Sequence, residues 1–151
     1  MNCKTLFVAI LIALSVWGCK TIASFDQYAY TQDSSLKIEV LNLMDSSISS
    51  YASQANNCQK VITDLLKIRE YEKHRPKDGI TFKMWDKMID STGQKGIIGS
   101  YITKWKTDGK EKPVFIMEAK KIAGQGFDLI MELESKKIKS DNAGVQSFIT
   151  Q

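Results

Sequence analysis

Histidine is the usual general base near neutral pH and the commonest metal ligand, and this chain contains one, His74. It lies between Lys73 and Arg75 at an expected helix end, where an imidazole simply complements the helix dipole. Metal binding would otherwise need thiolates or carboxylates at ligand spacing, and there is no Cys-x-x-Cys, no His-x-x-x-His and no acidic loop of the calcium type. No metal and no cofactor are therefore expected. Asp128 and Glu132 share a helical face one turn apart, with Glu134 close by, and could be read as paired carboxylates. Glycosidase chemistry needs two such groups facing each other across a cleft, which two on one helix do not make. Lys121, Lys136 and Lys137 lie along the same segment and favour a solvated face with local ion pairs. Gly124-Gln125-Gly126 lacks the preceding strand and the rest of a dinucleotide fingerprint, so close helix packing or a kink accounts for it better. Serines such as Ser47 and Ser100 have no Gly-x-Ser-x-Gly setting and no histidine near in sequence. No catalytic set emerges, and an enzyme is not expected.

The N-terminal residues have a different character. A basic start at Lys4 leads into an uncharged run from Leu6 to Val16, which closes on Gly18 and Cys19. That run is shorter than the roughly 20 apolar residues that span a bilayer. A charged start, a short apolar run and a small residue at its end make a secretory signal peptide. Val16-Trp17-Gly18-Cys19 resembles the lipobox of bacterial lipoprotein precursors, in which a small residue precedes the lipid-accepting cysteine. The resemblance implies cleavage between Gly18 and Cys19, a thioether-linked diacylglycerol on the Cys19 sulfur and an acylated amine, so that palmitate-type chains hold the protein on a membrane. Several acyl chains anchor far better than one, at about 0.8 kcal/mol per buried methylene. Lys20 stands where an Asp would mark inner-membrane retention in the enteric pattern, so the resemblance implies a cell-envelope address with the outer membrane favoured, facing the periplasm or the surface. Beyond this motif the chain is similar in size and character to the small helix-rich lipoproteins of bacteria.

Cleavage after residue 18 leaves 133 of the 151 residues, enough for one domain with a modest core. Of the 21 basic residues only Lys4 goes with the leader, and the net charge falls from +4 to +3. The charges are interspersed, without the concentrated patch that nucleic acid needs, so no nucleic-acid partner is expected. Cys3 leaves with the leader and the lipid consumes Cys19. Cys58 is then the one thiol of the mature chain, placed among apolar helical positions as a small core hydrophobe.

These residues must be positioned by helices. The spacing predicts a long helical segment from Ser24 to about His74, with Ser24 and Gln27 as a capping box. Its seam is Met44, Ile48, Tyr51, Ala55, Cys58, Ile62 and Leu65, in steps of four and three. Leu36, Val40, Leu41 and Leu43 continue an apolar face upstream. Thr31 to Ser35 and Ser46 to Ser50 are poor helix formers, and each is a place for a kink or break. Pro76 and Asp78-Gly79 reverse the chain. Two shorter helices follow, one around Phe82, Trp85, Met88 and Ile89 and one from about Gly96 to Thr107 with Ile98, Tyr101, Ile102 and Trp105. Pro113 opens a last helix to about Ile138 with the seam Phe115, Ala119, Ile122, Gly126, Leu129 and Leu133.

No strand alternation and no repeat is present, so the predicted fold is all-α. It is drawn as a long antiparallel hairpin with two shorter helices between its arms, like a four-helix bundle. At 1.5 Å per residue the first segment could reach ~76 Å and the last ~39 Å, so the first must overhang, bend or break. The expected organisation is a leader at 1–18, a lipidated tether at 19–23, a helical domain at 24–139 and a flexible tail at 140–151. The expected function is binding to another envelope protein from a membrane anchor. The alternative is a small-ligand carrier whose pocket is lined by Trp85, Met88, Tyr101 and Trp105, the same residues that could instead form a partner surface or plug the core.

Overall fold

The structure, a computed structural model, describes residues 25–76 and 79–150. The leader, Gly18, Cys19 and Ser24 lie outside the described residues, as do Lys77 and Asp78 in the expected turn. Six helices make up the regular structure among the described residues: α1 (Gln27–Asp45), α2 (Tyr51–His74), α3 (Gly79–Met88), α4 (Gly96–Asp108), α5 (Pro113–Glu134) and α6 (Ala143–Thr150), with a 3-10 turn at Ser46–Ile48. No strand occurs among them, and the fold is all-α.

Local chemistry sets the helix ends. The Asp26 carboxylate caps α1 by accepting from the amides of Tyr28 (2.9 Å) and Ala29 (3.1 Å). The expected long first helix breaks at the second of its two weak places, where Ser50 ends the turn and caps α2 through the amide of Ser53. Thr31 to Ser35, the first weak place, stays helical because Asp33 and Leu36 lie on the buried face of α1. Tertiary packing there outweighs propensity. The seam drawn through Ile48 is therefore interrupted: Met44, Cys58 and Leu65 are buried, while Ile48 points outward from the turn. The two halves keep separate seams, Ala29, Asp33, Leu36, Val40 and Leu43 on α1 and Cys58, Val61, Leu65, Ile68 and Glu72 on α2.

Breaking at Ser46–Ser50 lets α2 fold back along α1, and a Lys60–Glu39 ion pair at 2.7 Å marks the antiparallel register. α5 runs antiparallel on the other side of α1, with Lys37 meeting Asp128 and Lys120 meeting Asp45. α3 and α4 follow one another and pack on both α2 and α5. Their junction is organised by Asp90, whose carboxylate accepts from the amides of Gln94 (3.0 Å) and Lys95 (2.9 Å) and from the Thr92 hydroxyl. Burial works against that charge, but these hydrogen bonds prevail and hold the carboxyl down to about 2. Gly96, at φ +79°, sits where a Cβ would lie 2.9 Å from the backbone at Lys87, Met88 and Ile89. No larger residue fits that close approach.

Two further expectations are corrected. The buried face of α5 keeps Gly126 and Leu133 of the expected seam, with Ala119 and Leu129 half-buried, but is otherwise turned by about one residue. Ile116, Ala123, Phe127, Ile130 and Leu133 are buried with Gly126, whereas Phe115 and Ile122 are exposed. α5 packs against α1, α3, α4 and α6, so apolar residues occupy most of its circumference and several four-and-three runs can be drawn on it. The expected flexible tail at 140–151 contains α6, whose start is capped by Asn142 through the amide of Gly144 at 2.8 Å. Val145 is buried, and Phe148 and Ile149 pack on the core.

Candidate functional site

Trp85, Met88, Tyr101 and Trp105 are all buried and belong to one apolar core. Trp85 meets Phe127 edge to face, with ring centroids 5.8 Å apart. Trp105 does the same with Tyr51 at 5.6 Å and donates its Nε1–H to the Ser49 carbonyl at 3.1 Å. The Tyr101 hydroxyl lies 2.5 Å from Ser47 Oγ, its ring stacks on Phe115, and burial raises its pKa. Met88 abuts Gly126. These residues fill the space between helices as part of the buried core, and none of them borders the grooves described below.

A depression lies elsewhere, and the sequence does not show that its lining residues belong together. An open groove of about 870 Å³ runs between the α3–α4 junction, α5 and α6. Its apolar floor is Ile97, Ile122, Leu129 and Phe148. Lys87 and Ser100 stand on the α3–α4 side, and Gln125, Asp128 and Glu132 on the α5 side. The start of α4, which has no side-chain cap, also borders the groove at Gly96. The groove is thus polarised. A lysine and the positive end of a helix dipole occupy one wall, and Glu132 with the Lys37-paired Asp128 the other.

Asp128 and Glu132, the carboxylate pair of the sequence, do reach this groove, but from the same wall. Asp128 is engaged by Lys37 at 2.5 Å. No carboxylate faces them from the α3–α4 wall among the described lining residues, so the cross-cleft geometry of glycoside hydrolysis is not formed. Glu134 lies on a different side of α5, where it is buried and bound by Arg75 at 2.6 Å. Arg75 also holds the buried Glu72 at 2.8 Å and lies 3.7 Å from Asp26. The Tyr71 hydroxyl donates to Asp26, which lowers the Asp26 pKa and lifts Tyr71 to about 12. His74 is exposed, with Nε2 2.9 Å from Glu70 Oε1 on its own helix. Cys58 is buried, and desolvation pushes its thiol up to about 11. Gly126 provides close packing: a Cβ there would lie 2.5 Å from Met88 Sδ.

The groove's lining comes from four elements, and Ile122 and Leu129 also fit a packing seam, so periodicity alone does not mark it. The available signal was an excess of apolar residues on α5, more than one seam can bury. No family model, no curated protein and no solved structure matches this chain.

Proposed function

We propose that this chain is a lipid-anchored helical protein of the bacterial cell envelope that acts by binding and performs no catalysis. The Val16-Trp17-Gly18-Cys19 motif supports the address, with diacylglycerol on Cys19 and an outer-membrane location favoured by Lys20. The groove between α3–α4, α5 and α6 is the observation that carries the binding role. It joins an apolar floor to walls of opposite charge, a combination suited to an amphipathic segment of another envelope protein. The helices form a scaffold for it, which we read as a four-column antiparallel bundle of α1, α2, α3 with α4, and α5, with α6 closing one side of the groove. A second reading has one observation in its favour: the groove's volume, about 870 Å³, falls within the range of small-molecule sites. The carrier's site then moves from the buried aromatics to the groove.

One experiment addresses both parts. Cells fed labelled palmitate express the chain with a photo-crosslinking residue at Ile122 in the groove, or at Ile38 on the exposed face of α1. The expected result is label on the wild type and none on Cys19→Ala, and a discrete protein adduct from position 122 that position 38 does not give. Label in both forms refutes the lipid anchor. Equal adducts from the two positions refute the groove, and a small-molecule adduct at 122 selects the carrier reading.

A further inference from the structure

The described chain starts at one end of the molecule, beside Arg75 and Glu134, while the Ser46–Ile48 turn and the start of α5 form the other end. The two loops of that far end are joined by backbone hydrogen bonds, Tyr51 N–H to Gly109 O and Glu111 N–H to Ser47 O, both 2.9 Å. The length of α2 separates the two ends by ~36 Å. At this far end Ile48 is 58%, Val114 70% and Met117 60% exposed, a degree of exposure unusual for large aliphatic side chains gathered in one place. Ile48, Pro113 and Met117 border a common shallow depression, and Val114 lies beside them on the first turn of α5.

The surrounding charge is basic. Lys110 and Lys112 precede Pro113, Lys121 lies one turn beyond Met117, and all three are exposed without an ion pair among the described residues. Asp45 and Asp108 are paired with Lys120 and Lys104, and Lys104 also lies 3.6 Å from the buried Glu111. Glu118 is the one exposed acid on this stretch of α5 without such a partner among the described residues. Phe115, 37% exposed beside them, turns its ring onto Tyr101 and Lys104, and the cations around Ile48, Pro113, Val114 and Met117 are lysines, not arginines. Protein–protein hot spots favour Trp, Tyr and Arg. Short aliphatic tips inside a ring of flexible lysines match instead a soft surface with negative headgroups over hydrocarbon, where apolar insertion and electrostatic attraction add.

We propose that this end, Ile48 with Lys110 to Met117, docks onto an anionic lipid bilayer. The surface lies at the opposite end from the entry of the N-terminal segment, so a chain anchored there would present it to a second membrane. The docking surface itself does not depend on lipid at Cys19.

The test uses the full chain reconstituted into phosphatidylcholine vesicles, where either the acyl chains or the apolar leader retains it. Acceptor vesicles are phosphatidylcholine alone or with about 30 mol% phosphatidylglycerol, and clustering is read by energy transfer between labelled membranes. Clustering is expected with the anionic acceptors only, falling about tenfold or more in K110E/K112E and in V114D/M117D. These four side chains are exposed, and circular dichroism checks that the helices persist. Charge reversal at the other end, K136E/K137E, should leave clustering unchanged. Absence of clustering, equal clustering of both acceptors, an equal loss in K136E/K137E or full retention in V114D/M117D each overturns the proposal. A dimer abolished by V114D/M117D without vesicle clustering assigns the face to a second copy and overturns it as well.

Discussion

Cys58 shows how placement decides what a residue can do. It lies on the buried face of α2 with Val61 and Leu65, and desolvation raises its thiol from an ordinary 9.0 to about 11. A thiol needs its thiolate to react, so Cys58 is chemically quiet in the folded protein. In protein carrying Cys19→Ser, and outside the leader, iodoacetamide should leave Cys58 unmodified near pH 8 and alkylate it readily in denaturant. Because the folded value lies above the unfolded one, the stabilisation linked to this proton is fully present below pH 9. It is lost as pH rises through 11. Urea midpoints taken across that window should fall for the native Cys58 and fall less for Cys58→Ala. The same burial argument places His74 at the other extreme: it is exposed, bound to Glu70, and has no partner for catalysis among the described residues.

At the scale of the element, α6 is the clearest case of a helix made by its surroundings. Eight residues cannot sustain a helix in water, since nucleation costs more than so short a run returns. Its Val145, Phe148 and Ile149 form an i, i+3, i+4 triad that acquires stability only against α3 and α5. Gly126 permits that approach, and a Cβ there would lie 3.0 Å from Phe148 Cζ as well as against Met88. Gly126→Ala should loosen α6 first, with faster amide exchange over residues 143–150, and cost about 1–3 kcal/mol of stability through overpacking. Since α6 closes one side of the groove, the crosslink from position 122 should weaken in the same variant. Unchanged exchange in α6 would show that the helix is not held through this contact.

At the scale of the whole molecule, Arg75 ties together three chain segments that are far apart in sequence. Its guanidinium, almost completely buried, reaches Glu72 at the end of α2, Glu134 at the end of α5 and Asp26 at the start of α1. Buried ion pairs of this kind do not by themselves add stability over apolar packing. Removing one partner is nevertheless costly, because the remaining charge stays out of water. Arg75→Met should destabilise the protein by about 3–5 kcal/mol in denaturant unfolding, and Glu134→Gln in the same background should recover part of that loss. A loss of under about 1 kcal/mol would show that water or other partners compensate the carboxylates without Arg75. The cluster closes the end at which the described chain begins, while Ile48 and Met117 are exposed at the other end.

What the sequence by itself determined was helical content and some of the segment boundaries, because both rest on local rules. Pro113 at a first turn and the serines at 46–50 act within a few residues of where they stand. It also contained the resemblance at Val16 to Cys19 on which the proposed address depends. The tertiary structure decided which face of α5 is inside, because a helix touched by four others has apolar residues nearly all round. It decided that Trp85, Met88, Tyr101 and Trp105 are core, since an aromatic at helical spacing reads alike on a pocket wall and in a filled interior. It also assembled the groove from α3, α4, α5 and α6, whose lining residues lie on one face of each helix but meet only when the helices pack.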